Sequence, residues 1–354
     1  MTHRTDYIIV GQGLAGSSLA FELLQRGKSV VVYDEPMKNR ASVISAGICN
    51  PITGKVMTTT YAAHLLFPFL HQWYAGAERI IGRKFFHPMP LYRPFLSQQE
   101  LEQWKMKALQ EPVRMFIRKI HETSSAGEML NDPWGGLELD LAGYLDVKGW
   151  VDAVRSLLRD RGMYREQSFD EGEVRVTEEV CYQDVRASRI IFCHGLAARQ
   201  SPWFGYLPIR PLKGETLTVR LALPAGRIIS RGVYVVPAKT PGEFVIGSTY
   251  QHEPFPAGNS PEGKALLMER LAAVVRVAAE PIHQDWGIRP TVTDRRPLMG
   301  GHPREERVVI FNGLGTKGVS LAPYFASRLA DWMEGINALP DEVNISRFKP
   351  LYSN

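Results

Sequence analysis

Two spacings of apolar residues alternate along the chain. Short runs at residues 7–10 (YIIV), 30–33 (VVVY), 190–192 (IIF) and within 307–312 (RVVIFN) are rich in β-branched side chains and read as strands. The run at 190–192 is continuously apolar and stops at Gly195, so it belongs inside a parallel sheet covered on both faces. Between these runs the apolar residues recur at helical spacing. Leu19, Ala20, Leu23 and Leu24 predict a first helix ended by Gly27, a residue suited to a left-handed cap. Residues 61–82 predict a long helix with Leu65, Leu66, Phe69, Leu70 and Trp73 on one face and Pro68 as a kink. Residues 98–109 predict another, and Val151, Val154, Leu157 and Leu158 form the inner face of a third. From residue 207 the texture changes to strands punctuated by Pro and Gly, an antiparallel pattern that predicts a second domain. A helix over 261–277 follows it, and the chain closes on a last strand, a glycine loop and a helix carrying Leu321, Phe325 and Leu329.

The turn after the first strand carries candidate chemistry. Gly11, Gly13 and Gly16 give GxGxxG, a pattern that supplies a tight turn, close approach of backbone to a pyrophosphate, and close packing of helix on strand. Leu14 and Ala15 open the helix, whose N–H groups and partial positive charge face the same point. Asp34 ends the second strand about 20 residues on, where an acid accepts ribose hydroxyls. The C-terminal loop repeats this arrangement, with Gly313, Gly315 and Gly318 between a strand and a helix. Two such sites at opposite ends of one chain suit a long cofactor with two polar ends, which favours FAD over NAD.

Composition narrows the picture further. A chain of 354 residues buries a large core, and its length suggests two domains. Apolar content of 44% and charged content of 22% are those of an ordinary globular protein, and the net charge of +5 calls for no nucleic-acid partner. Cys49, Cys181 and Cys193 show neither CxxC nor metal-ligand spacing, so no metal site is expected. The first strand begins almost at the N-terminus and no run is long enough to span a bilayer, so the expected location is the cytoplasm. His194 at a strand end reads as a hydrogen-bonded structural residue.

These motifs, with RASVISAG at residues 40–47, GIRPTVTDRRPLMG at 287–300 and GLGTKGVSLAP at 313–323, resemble the D-amino-acid oxidase superfamily of FAD-dependent oxidoreductases, nearest in pattern to glycine and sarcosine oxidases. The resemblance implies an α/β protein with a Rossmann-like FAD-binding domain (residues 1–60, 145–205 and 285–354) and a discontinuous α+β substrate domain built on an antiparallel sheet (61–144 and 206–284). It implies that Gly11, Gly13, Leu14, Ala15, Gly16 and Asp34 hold the ADP half of a noncovalent FAD, with Arg40, Ala41 and Ser42 along its middle. Ala46 and Gly47 would lie beside the ring, Val174 on a strand near the adenine, and Gly195 at the end of its strand near the cofactor. Gly313, Leu314, Gly315, Thr316, Lys317 and Gly318 would meet the isoalloxazine edge. Arg289 would pair with a substrate carboxylate next to the cofactor, Tyr234 would lie over the substrate, and Tyr250 is a further catalytic candidate.

The implied reaction oxidises the C–N bond of a small amino acid or secondary amine by hydride transfer to flavin N5. Oxygen or another acceptor then takes the electrons. The alternatives are a flavin enzyme acting on a carboxymethylaminomethyl side chain of tRNA, which would need a basic docking surface, and a flavin-binding protein without turnover.

Overall fold

The structure is a computed structural model that describes residues 3–36, 40–53, 58–125 and 127–352. The chain forms two compact units from discontinuous pieces: Met1–Val43, Val147–Leu212 and Ile288–Asn354 make the first, and Ile44–Asp146 with Lys213–Gly287 make the second. Two long strands, Ile209–Leu221 and Ala279–Val292, carry the chain from one unit to the other.

The first unit is built on a parallel sheet. Strand His3–Val10 pairs with Val30–Asp34 on one side and Val185–Phe192 on the other. Tyr164–Glu166 and Glu305–Asn312 extend the sheet outward, all in parallel register. The apolar runs explain this placement, because Ile8, Ile9, Val31, Val32, Ile190, Ile191, Val308 and Val309 are all fully buried. Alternation sends Ile8, Val31, Ile190 and Val308 into one core with Val180, Tyr182 and Phe204, and sends their neighbours to the opposite face. A hairpin of Arg175–Val176 and Val180–Tyr182 continues the sheet antiparallel to Val185–Phe192 and adds Val180 and Tyr182 to the first of these cores. Helices Leu14–Gln25 and Val147–Asp160 pack together through an edge-on contact of Phe21 and Trp150 at 5.4 Å.

The second unit is built on a long mixed sheet. Strands Ile209–Leu221, Glu243–Gly247, Val233–Pro237 and Ile228–Arg231 follow one another antiparallel, as the Pro- and Gly-punctuated pattern predicts. The antiparallel expectation fails at one joint, where Ile228–Arg231 pairs in parallel with Leu91–Pro94. Those two strands come from the two separate chain segments of this unit, so no hairpin dictates their direction. Helix Pro261–Ala272 covers one face of the sheet through Leu267 and Leu271, over Leu217, Val235 and Ile246.

Helix Ala63–Ile81 contains Pro68, as expected, but its buried face is Ala63, Leu66, Phe67, Leu70, Tyr74 and Ala77. Leu65 is exposed, and Phe69 and Trp73 are half-buried. The first turns are apolar nearly all round, so helical spacing fits two neighbouring stripes. Tyr74 and Ala77 decide between them.

Candidate active site

The first glycine turn is shaped by close backbone approach. Gly11 sits at φ +93, and a Cβ there would fall 2.7 Å from the carbonyl oxygen of Cys193. At Gly16 it would fall 1.9 Å from the carbonyl oxygen of Gly11, so the first helix can rest on the turn only because residue 16 is glycine. Gly13 is the N-cap residue of that helix, and the Leu14 amide donates to Ser42 Oγ at 3.0 Å.

Asp34, at the end of the second strand, is buried and ties three segments together. Its Oδ1 accepts the Gln12 amide at 2.7 Å, and its Oδ2 accepts from Arg40 Nη1 at 2.8 Å and from the Tyr164 hydroxyl at 3.2 Å. Oδ1 keeps a lone pair with which to accept a further hydroxyl. Gln12, itself buried, fastens the turn from beneath through Ser17 Oγ and the Val151 carbonyl, each at 2.8 Å. Gln12 and Tyr164 escaped the sequence reading. The first occupies a free position of the motif, and the second lies on a strand brought in from a distant segment.

The C-terminal loop lies alongside the first turn in the same unit. Gly313 and Gly315 adopt φ +70 and +55, and a Cβ on Gly318 would fall 2.9 Å from Leu14 Cδ2. The first residues of helices Leu14–Gln25 and Gly318–Met333 therefore touch. At their other ends, Arg26 pairs with Asp331 at 2.8 Å and Glu334 at 3.3 Å, so the two helices run side by side in the same direction. Two positive helix ends thus open beyond the C-terminal ends of the parallel strands. Asn312, not singled out in the sequence, links the loop to the central strand by donating to the Gly195 carbonyl at 2.8 Å and accepting the Gly313 amide at 2.8 Å.

Lys317 is the N-cap residue of the C-terminal helix. Burial, followed by the nearby charges of Arg295 and Arg296, pulls its ammonium down to about 8. A group so depressed binds fewer protons folded than unfolded between about pH 8 and its ordinary value of 10.5. Stability of the cofactor-free protein is therefore expected to rise with pH across that window and to lose this contribution as pH falls through 8. Urea unfolding midpoints of the cofactor-free protein and a Lys317→Met variant, taken from pH 7 to 10.5, check this. The difference between the two proteins should shrink toward the alkaline end.

Arg289 is anchored on both sides. Ile288 forms a parallel bridge with Arg40, and the Pro290 carbonyl accepts the Gly315 amide at 3.2 Å. The backbone flanking Arg289 is thus tied to both glycine-turn systems. Ala41 and Ser42 lie in a short helix, Ala41–Ile44. Ala46 and Gly47 belong to the second unit, where Gly47, at φ +70, accepts the Leu145 amide at 3.0 Å. Val174 stands one residue before its strand, packed against the core. Tyr234 is half-buried on strand Val233–Pro237, whereas Tyr250 is 60% exposed and off the strands. His194 pairs with Glu171 at 3.1 Å, and Glu171 also accepts from Ser201. Among the described residues no group of side chains has metal-ligand geometry and no helix is long and apolar enough to cross a membrane.

FAD fits this arrangement. An anionic pyrophosphate would suit the positive helix ends and the glycine backbone, and a ribose hydroxyl would suit the remaining lone pair of Asp34. The profile of the family described as "DAO: FAD dependent oxidoreductase" matches residues 6–332, and the chain belongs to this family. The protein is an FAD-dependent oxidoreductase. A glycine oxidase of Geobacillus kaustophilus is 27% identical over 94% of this chain and 94% of its own length. The bifunctional protein MnmC of tRNA 5-methylaminomethyl-2-thiouridine biosynthesis in Maricaulis maris is 28% identical over 94% of this chain, which spans 52% of that relative. In structure, an iminodiacetate oxidase of Chelativorans sp. BNC1 superposes with a TM-score of 0.79 at 19% identity, covering 97% of this chain and 98% of the other.

Proposed function

We propose that the protein oxidises the C–N bond of a small amino acid or secondary amine bearing a carboxylate, using noncovalently held FAD. The observation that carries this reading is the double anchorage of Arg289. A planar guanidinium, suited to bidentate pairing with a carboxylate, is mounted on backbone bonded to the Gly315 loop on one side and to Arg40 on the other. FAD, when bound, supplies the two-electron acceptor for the α-carbon hydride. The chain's own residues hold and orient. Gly11, Gly13, Gly16 and Asp34 grip one half of the cofactor, the loop from Gly313 to Gly318 meets the other, Arg289 fixes the carboxylate, and Tyr234 closes on the substrate. Orientation of this kind is worth several kcal/mol of barrier, about 7–11 in the best intramolecular cases.

The substrates for which these relatives are named agree in chemistry, since glycine and iminodiacetate are amines carrying carboxylates. The MnmC relative, matched over nearly all of this chain, supports a second reading in which the amine belongs to a tRNA side chain. Anaerobic bleaching of the purified yellow protein separates the two. Glycine, sarcosine, iminodiacetate, D-alanine or L-proline should reduce the flavin without RNA, whereas reduction only by tRNA that carries a carboxymethylaminomethyl side chain would favour the second reading. A flavin that none of these bleaches would overturn both.

A further inference from the structure

A row of residues across the second unit's sheet contains a packing feature that the proposed chemistry leaves unused. Tyr234 stands opposite Gly247 on the neighbouring strand, and Gly247 stands opposite Thr216 on the next. Directly opposed residues project to one face. A Cβ on Gly247 would lie 2.4 Å from Tyr234 Oη, 2.7 Å from its Cζ and 3.1 Å from Thr216 Cγ2. The phenol of Tyr234 therefore lies down across the adjacent strand, in room that exists because residue 247 has no side chain. Gly247 is not in the left-handed region, and what it contributes at this point is space. Helix Pro261–Ala272 packs on the other face, against Leu217, Val235 and Ile246, so the ring lies on the face away from that helix.

We propose that Gly247 is a specificity-determining position, which sets the size of substrate the protein accepts by letting Tyr234 lie low on the sheet. This rests on the reading that Tyr234 contacts the substrate. Gly247 acts only through that ring and is a positioning residue. The atom a new Cβ would meet is the far end of a side chain that can swing, so Gly247→Ala keeps the fold and lifts the phenol by about 1 Å to restore ordinary contact. The lifted ring takes room first from substrates with the largest amine substituent.

The test compares Gly247→Ala, Tyr234→Ala and the double variant in the FAD-loaded protein. It reads kcat and KM for glycine, sarcosine and N-ethylglycine, and the Kd of acetate and methoxyacetate from flavin absorbance. Gly247→Ala should lower kcat/KM for N-ethylglycine by on the order of a hundredfold, with a smaller loss for glycine and a matching bias against methoxyacetate. In the Tyr234→Ala background the same substitution should change nothing beyond about twofold. Equal losses in both backgrounds, or unchanged selectivity, overturn the proposal while leaving the role of Tyr234 intact. A Tyr234→Ala protein with unaltered KM and Kd removes that role, and the proposal with it. Should Gly247→Ala misfold, recovery of folding in the double variant supports the contact, and misfolding of both overturns it.

Discussion

A Gly16→Ala protein is expected to emerge from purification colourless and with a much lowered melting temperature, because the added methyl would sit 1.9 Å from the carbonyl oxygen of Gly11. Unlike a clash with a mobile side chain, this one is with backbone. The first helix must back away from the turn, and with it go the Leu14 contact to Gly318 and the Gln12 bonds that fasten the turn. Overpacking of a tight site ordinarily costs about 1–3 kcal/mol, and a backbone collision belongs at or above the upper end. Gly27→Ala is the control. That glycine has φ +72 but nothing within 4 Å of a new Cβ, so the change costs only left-handed strain of about 1–2 kcal/mol and should leave FAD in place. The ratio of flavin to protein absorbance, read with a thermal melt for each variant, decides the matter. Equal flavin content in the two proteins would show that the turn does not depend on Gly16.

The same comparison explains what was legible in the sequence. The glycine turns, the buried runs at Ile190–Phe192 and Val308–Phe311, and the acid at Asp34 are local patterns, since strand, turn and helix preferences act over a few residues. Partners from distant segments left no such trace. Nothing around Tyr164 announces that its hydroxyl reaches Asp34, and nothing around Gly247 announces that Tyr234 lies across it. Asn312 reads as the last polar residue of a strand, yet both ends of its amide hold the loop to Gly195. Helix faces were ambiguous where apolar residues crowd, as at Leu65 and Leu66, because the choice between two stripes is made by what the helix packs against. Site residues defined by backbone shape were therefore readable, and the side chains that steady them were not.

Arg289→Ala is expected to leave the flavin bound and to raise KM for carboxylate substrates steeply, with a smaller fall in kcat. Each charged hydrogen bond lost is worth about 1.5–3 kcal/mol, or roughly 10- to 150-fold in affinity. The backbone around Arg289 is held by the Ile288 bridge to Arg40 and by the bond from Gly315 to the Pro290 carbonyl, so truncating the side chain removes the guanidinium without loosening its mount. That separation makes the variant informative. Arg289→Lys keeps the charge but not the fork and should recover only part of the loss. The Kd of acetate, followed through the flavin spectrum without turnover, should weaken in the same order, alanine more than lysine. An amine lacking a carboxylate should be oxidised no worse by the variants than by the parent protein. Unchanged acetate affinity in Arg289→Ala, with flavin content intact, would place the carboxylate elsewhere and leave Lys317 as the next cation to test at the same loop.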